Sequence, residues 1–238
     1  MKLFRELRKH QIDNRKIKKY LIYALGEIFL VMVGISLAFQ LDNWNETRIK
    51  KNTEINHYRN IKSQIIDDHE LIQSQLDFNN RFMAEFKYIN SIIETNDRSK
   101  MDTLGSILLN LTEYSDFDRH GNIYETMVNS GEIKILRNHE IIEGIRELEE
   151  RYIYVNRIES IHYDAVMKHI ADVIIPLVSY ATGEVKQPDV VFNYKFQNLL
   201  IALLDIMIEK DKTYRNALIQ IQEVKQLIDK ELLINVRL

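Results

Sequence analysis

The chain has 238 residues, 45% of them hydrophobic and 28% charged, a balance that excludes an intrinsically disordered protein. It contains no cysteine, which rules out disulfides and thiolate metal sites. Its formal net charge of −3 divides unevenly: residues 1–19 carry eight Lys/Arg against Glu6 and Asp13, or +6, leaving −9 on the remainder. An acidic body behind a basic arm does not resemble a nucleic-acid binder, which concentrates positive charge on its folded domain, and no nucleic-acid partner is expected.

Residues 1–19 form the basic arm, ending in Lys16, Lys18 and Lys19. Residues 20–41 (YLIYALGEIFLVMVGISLAFQL) are apolar on every face. As a helix, such a segment spans about 33 Å, enough for a hydrocarbon core of about 30 Å. Lys18 and Lys19 mark one membrane interface and Trp44 the other, where an indole buries its ring and keeps its N–H wet. The basic flank predicts a cytoplasmic N-terminus in the inner membrane, with residues 42–238 as a periplasmic domain. A cleaved signal peptide is the competing reading, since Ser36-Leu37-Ala38 loosely resembles a cleavage site. The apolar run is longer than a signal peptide requires, contains Glu27, and continues into helix-compatible sequence.

Glu27 is costly in such a place: insertion scales charge about 2.5–3.5 kcal/mol for an acidic side chain at mid-membrane. Gly34 lies seven residues on, on nearly the same face, and Gly34 and Ala38 form a small-xxx-small pair that lets another backbone approach. Glu27, Gly34 and Ala38 are therefore the candidate transmembrane interface. A carboxyl group bonded within its own helix and a proton relay are the alternatives. The expected partners are membrane lipid and either a second copy of the chain or another membrane protein.

Gly26-Glu27-Ile28, Val31–Ile35, Ala38, Gln40 and Asn43-Trp44-Asn45-Glu46 resemble the N-terminal signature of an uncharacterised single-pass membrane protein family of Bacteroidota, domain of unknown function family 6090. Tyr124-Glu125, Val128–Gly131 and Ile133–Leu136 are similar to a downstream segment of that family. Asp42 and Phe39 depart from its pattern, where Asn and Leu are usual. The resemblance implies a basic arm, a single membrane anchor and a helical remainder. It implies no activity.

Only two prolines and seven glycines punctuate the chain, which favours long helices and an all-α fold: a stalk followed by an antiparallel bundle. Residues 45–95 are predicted as one long helix, with Asn79-Asn80 a candidate kink or break and Thr95–Ser99 a turn. A short helix is predicted over Met101–Leu111, and a loop over Tyr114–Gly121. Another short helix starts at Gly121 or Asn122 and stops at Gly131, and Asn138 caps a helix reaching as far as Pro176. Thr182–Asp189 is a loop, and two helices, Tyr194–Ile208 and Asp211–Leu233, close the chain.

Glu54-xx-His57 and Glu159-xx-His162 have the spacing used in di-metal bundles, where residues three apart on a helix project together. Chance solvated pairs on a Glu-rich helical chain are the preferred reading. Asp67-Asp68-His69-Glu70 is read as a solvated face, since consecutive helical residues diverge. Asp116–Gly121 lacks the acidic spacing of a calcium loop. HExxH, GxSxG and phosphate-binding glycine motifs are absent from the sequence. Tyr152, Tyr154, Tyr163 and Tyr180 are predicted as core or rim aromatics. No metal, cofactor or catalytic residue is expected. The function these readings favour is that of a non-enzymatic structural or accessory protein. The alternatives are a tethered ligand-binding sensor and a subunit of a proton-driven or channel-like complex using Glu27.

Overall fold

The computed structural model describes residues 14–118 and 123–236. Residues 1–13 of the basic arm, and the predicted start of a helix at Gly121 or Asn122, lie outside the described residues. Two compact units divide the chain, residues 1–53 and 54–238, and a single helix, α1 (Asn14–Glu94), contributes to both.

In the first unit, α1 has a window with mean hydropathy 2.2, none of it buried. It is one apolar helix of sufficient length to cross a membrane or to form part of a signal segment. Leu21 through Leu41 project without a packed core, and a methyl group at Gly34 would meet nothing within 4 Å. Trp44 is exposed, with the Arg48 guanidinium 5.5 Å from its ring centroid.

Among the described residues of the second unit, the regular structure is helical apart from one bridge, Val178 to Val185. After α1, Asn96 takes a left-handed turn (φ 51°), and the Asp97 carboxylate accepts hydrogen bonds from the Ser99 backbone and hydroxyl. α2 (Met101–Leu108) tightens into a 3₁₀ turn over Leu109–Thr112. α3 (Ile123–Ser130) stops where predicted, at Gly131, whose φ of 78° favours a residue without a side chain. Asn138 caps α4 (His139–Ala165) by accepting from the backbone N–H groups of Glu140 and Ile141. The chain then widens into a π-helical turn, Val166–Ile170, before α5 (Ala171–Leu177) ends just after Pro176. A short α6 (Pro188–Val191) precedes α7 (Tyr194–Val236).

Two features differ from expectation. Residues 194–236 form one 43-residue helix rather than two, because Lys210 turns into the core instead of marking a polar break. Asn79 does not break α1: it is buried, and its amide donates to the Met207 carbonyl at 2.9 Å.

The core has two apolar sections. One joins Tyr58, Ile61, Ile65, Ile72 and Leu76 of α1 to Ile141–Val155 of α4 and Tyr214–Ile228 of α7. The other joins Phe82, Phe86 and Ile89 of α1 to Leu104 and Leu108, Ile170 and Ile174, and Leu200–Met207. α1 passes from the first section to the second, as does α4 through its continuation into the π-helical turn and α5, whereas α7 returns. The expected antiparallel arrangement therefore holds for α7 against its two partners, while α1 and α4 run the same way. Segment 95–138 makes this possible by carrying the chain back between them. At Gly144 a methyl group would sit 3.0 Å from Val224 Cγ2, so a hydrogen there permits the close approach of α4 and α7. At Gly105 it would collide with the Gly183 carbonyl oxygen at 1.8 Å, which ties α2 to the turn before α6.

Candidate functional site

The buried stripe of α4 and the π-helical turn after it runs Ile141, Ile145, Leu148, Tyr152, Val155, Glu159, His162, Val166, Ile170. That of α7 runs Leu200, Leu203, Met207, Lys210, Tyr214, Ala217, Ile221, Val224, Ile228. Steps of three and four keep each stripe facing its neighbours, as in a coiled coil. The ionisable residues Glu159, His162 and Lys210 thus occupy core positions, and with Asn79 and Ser115 they form a polar layer around the junction of the two apolar sections.

Within the layer the hydrogen bonds are specific. The Lys210 ammonium donates to the Ser115 carbonyl at 2.8 Å and lies 3.0 Å from His162 Nδ1. Glu159 Oε1 accepts from the Phe117 backbone N–H at 2.8 Å and from the Tyr214 hydroxyl, which also lies 3.1 Å from Ser115 Oγ. Asp116 N–H donates to Gln75 Oε1 at 3.1 Å, and Phe117 is buried against Tyr152. The described part of the predicted loop is thereby clamped across the bundle. Within the layer, three buried atoms have no hydrogen-bond partner among the described residues: Asn79 Oδ1, Glu159 Oε2 and His162 Nε2. An unsatisfied buried polar atom costs about 1–3 kcal/mol, so this layer is expensive to maintain.

Burial pushes each ionisable group toward its neutral form. Glu159 rises from 4.5 to about 7, mainly through desolvation, opposed by the Tyr214 hydrogen bond and the Lys210 charge. His162 falls from 6.5 to about 3, through desolvation and then the Lys210 charge. Lys210 falls from 10.5 to about 8 through desolvation, partly restored by Glu159 and Asp116. Burial, reinforced by Glu159, raises the Tyr214 phenol above its usual range. His162 is therefore neutral at pH 7, with Nδ1 accepting from Lys210 and the proton on Nε2.

The linkage has opposite signs at two of these groups. His162, lowered in the fold, contributes stability present above pH 6.5 and lost as pH falls toward 3. Glu159, raised in the fold, contributes stability present below pH 4.5 and lost as pH rises through about 7. Between pH 7 and 4.5 the two terms oppose each other. Urea titrations across that window should show a steeper acid loss of stability in Glu159→Gln than in the unsubstituted chain, because the His162 term is then uncompensated.

A cleft of about 310 Å³ opens beside the layer, lined by Tyr114, Ser115, Asp116, Asn156, Glu159, Ser160 and Tyr163. The Tyr114 and Tyr163 rings meet edge to face at 5.1 Å.

The residues predicted from sequence fall elsewhere. Glu27, Gly34 and Ala38 lie exposed in the first unit. Lys18 and Lys19 are within α1, and Trp44 is exposed on it. The two Glu-x-x-His pairs do not meet, and the solvated reading fails for Glu54, Glu159 and His162, all buried because they fall on core stripes. Glu54 accepts from the Arg137 backbone N–H at 2.7 Å and the Tyr58 hydroxyl at 3.0 Å. Asp68 is likewise buried, whereas Asp67 and Glu70 are exposed. Tyr152 is a core aromatic, while Tyr154, Tyr163 and Tyr180 sit at the rim. Among the described residues, no three His, Asp or Glu side chains converge as a metal site.

These features define an all-helical protein: an apolar N-terminal helix, and a bundle of three long helices interrupted by a buried polar layer. Residues 27–206 match the family model described as a family of unknown function, DUF6090, and the chain belongs to that family. No curated protein and no solved structure matches it.

Proposed function

We propose that the chain is a non-enzymatic accessory protein of the inner membrane, acting through helix–helix and protein–protein contacts. Residues 20–41 would span the bilayer with the N-terminus in the cytoplasm, and residues 42–238 would form a periplasmic domain. The observation that carries this reading is the apolar helix of the first unit, exposed on every face, an arrangement suited to lipid and to another helix rather than to water. The Glu27, Gly34 and Ala38 face would receive the partner, a second copy or another membrane protein, because a lone carboxyl group facing lipid is costly.

Native mass spectrometry after mild detergent extraction tests it, with a stoichiometric homo-oligomer or heteromeric complex as the expected result. A purely monomeric species would contradict it. Reporter fusions after Gln40 and at the C-terminus should both report an extracytoplasmic location. A mature chain beginning after Ala38 would instead identify a signal peptide.

A second reading, a tethered ligand-binding sensor, is favoured by one observation: the cleft beside a buried carboxylate with an unpartnered oxygen. In that case the ligand would bias the packing around the polar layer, and the output would pass to a partner.

A further inference from the structure

Resting on the second reading, we infer that the cleft beside Glu159 binds a small primary ammonium compound, with the ammonium group donating to Glu159 and the organic part lying against Tyr114 and Tyr163. Three observations converge on that chemistry. Glu159 is 96% buried, since only 4% of it is exposed, yet only Oε1 is hydrogen-bonded by described residues. Its second oxygen has no donor among the described residues, and an N–H from a bound molecule would supply one. Among the described residues, the ionisable groups lining the cleft are two carboxyls, Glu159 and Asp116, and two phenols, with no cationic side chain. Lys210 lies behind, with its ammonium engaged by the Ser115 carbonyl and His162. The field at the cleft therefore disfavours anions. Finally, its walls include two tyrosine rings, whose faces attract cations and whose bodies cover aliphatic carbon.

Size narrows the class further. The volume of about 310 Å³ lies at the small end for ligand pockets. A metal ion is a poorer fit, because the described residues offer no third carboxylate or imidazole to complete a coordination shell. A quaternary ammonium has the charge but no N–H for the unpartnered oxygen.

Ligand-observed NMR on the full chain in detergent micelles tests the inference, with ethylammonium as probe and tetramethylammonium, ethanol and acetate as comparisons. Saturable ethylammonium binding is expected, at least about tenfold tighter than tetramethylammonium, in line with loss of a charge-assisted hydrogen bond. Ethanol and acetate should not compete. Glu159→Gln should abolish binding. Should that variant not fold, Ser160→Leu fills the cleft from an exposed position without touching the buried network, and should abolish it equally. Ethylammonium binding that persists in folded Ser160→Leu overturns the site. Preferential ethanol or acetate binding that Ser160→Leu blocks would preserve the ligand-binding reading and overturn the ammonium assignment. No saturable binding of any probe overturns both.

Discussion

Replacing Lys210 by Met should destabilise the chain by about 3–5 kcal/mol, the cost of breaking a buried charged network from one side. The substitution preserves most of the side-chain length but removes every donor. It leaves the Ser115 carbonyl and His162 Nδ1 without the ammonium they share, and deprives Glu159 of its favourable charge. Glu159 should consequently become harder to ionise. Urea unfolding followed by circular dichroism measures the loss, which should be larger at pH 8 than at pH 5 because an ionised Glu159 suffers most. A loss below about 1 kcal/mol would mean that the layer is open to water, as an exposed ion pair is.

Ile228→Ala should cost about 2–5 kcal/mol, through lost burial and the cavity left behind. Ile228 is fully buried near the end of the α7 stripe that also holds Ile221 and Val224, whereas Ile219 on the same helix is 58% exposed. Ile219→Ala should therefore change stability by no more than about 0.5 kcal/mol. Equal effects at the two positions would contradict the register of α7. Leu218, which the apolar pattern alone would bury equally, is only partly covered and belongs between these extremes.

The contrast between Leu218 and Lys210 shows where sequence reasoning succeeds and fails. Local punctuation is legible: Gly131 stops a helix, Asn138 caps one, and the turn after Glu94 falls where polar residues cluster. These depend on backbone chemistry that a single residue type controls. The all-helical character is legible for the same reason, through the scarcity of breakers. Continuity through residues 208–211 is less so, because Glu209, Lys210 and Asp211 resemble a solvated boundary when weighed by type. Register carries the missing signal: Leu203, Met207, Lys210, Tyr214 and Ala217 step by four and three, and Lys210 is in phase. The same argument finds Glu159 and His162 after Leu148, Tyr152 and Val155. Charge suggests exposure, phase demands burial, and at this layer phase prevails because the groups satisfy much of one another's hydrogen-bonding capacity.

Other features are non-local and leave little trace. The π-helical turn at Val166–Ile170 contains neither Gly nor Pro to announce it. The shared direction of α1 and α4 depends on how far segment 95–138 travels, which composition does not encode. The cleft requires Tyr114, Ser115 and Asp116 to dock beside Asn156, Glu159 and Ser160, a juxtaposition across 39 residues of intervening chain. The proposed Glu27 interface, by contrast, rests on sequence alone, through the cost of a carboxyl group in an apolar helix.

Cysteine-scanning crosslinking in native membranes tests that claim most directly, aided by a sequence with no cysteine. Single cysteines at positions 27, 34 and 38 share one helical face, whereas positions 29, 32 and 36 lie on the opposite side. Crosslinks to a second copy or another membrane protein from the first set, with none from the second, are predicted. An even pattern around the helix, or crosslinks to no protein at all, would contradict the proposal that this chain acts through contacts made by its anchor.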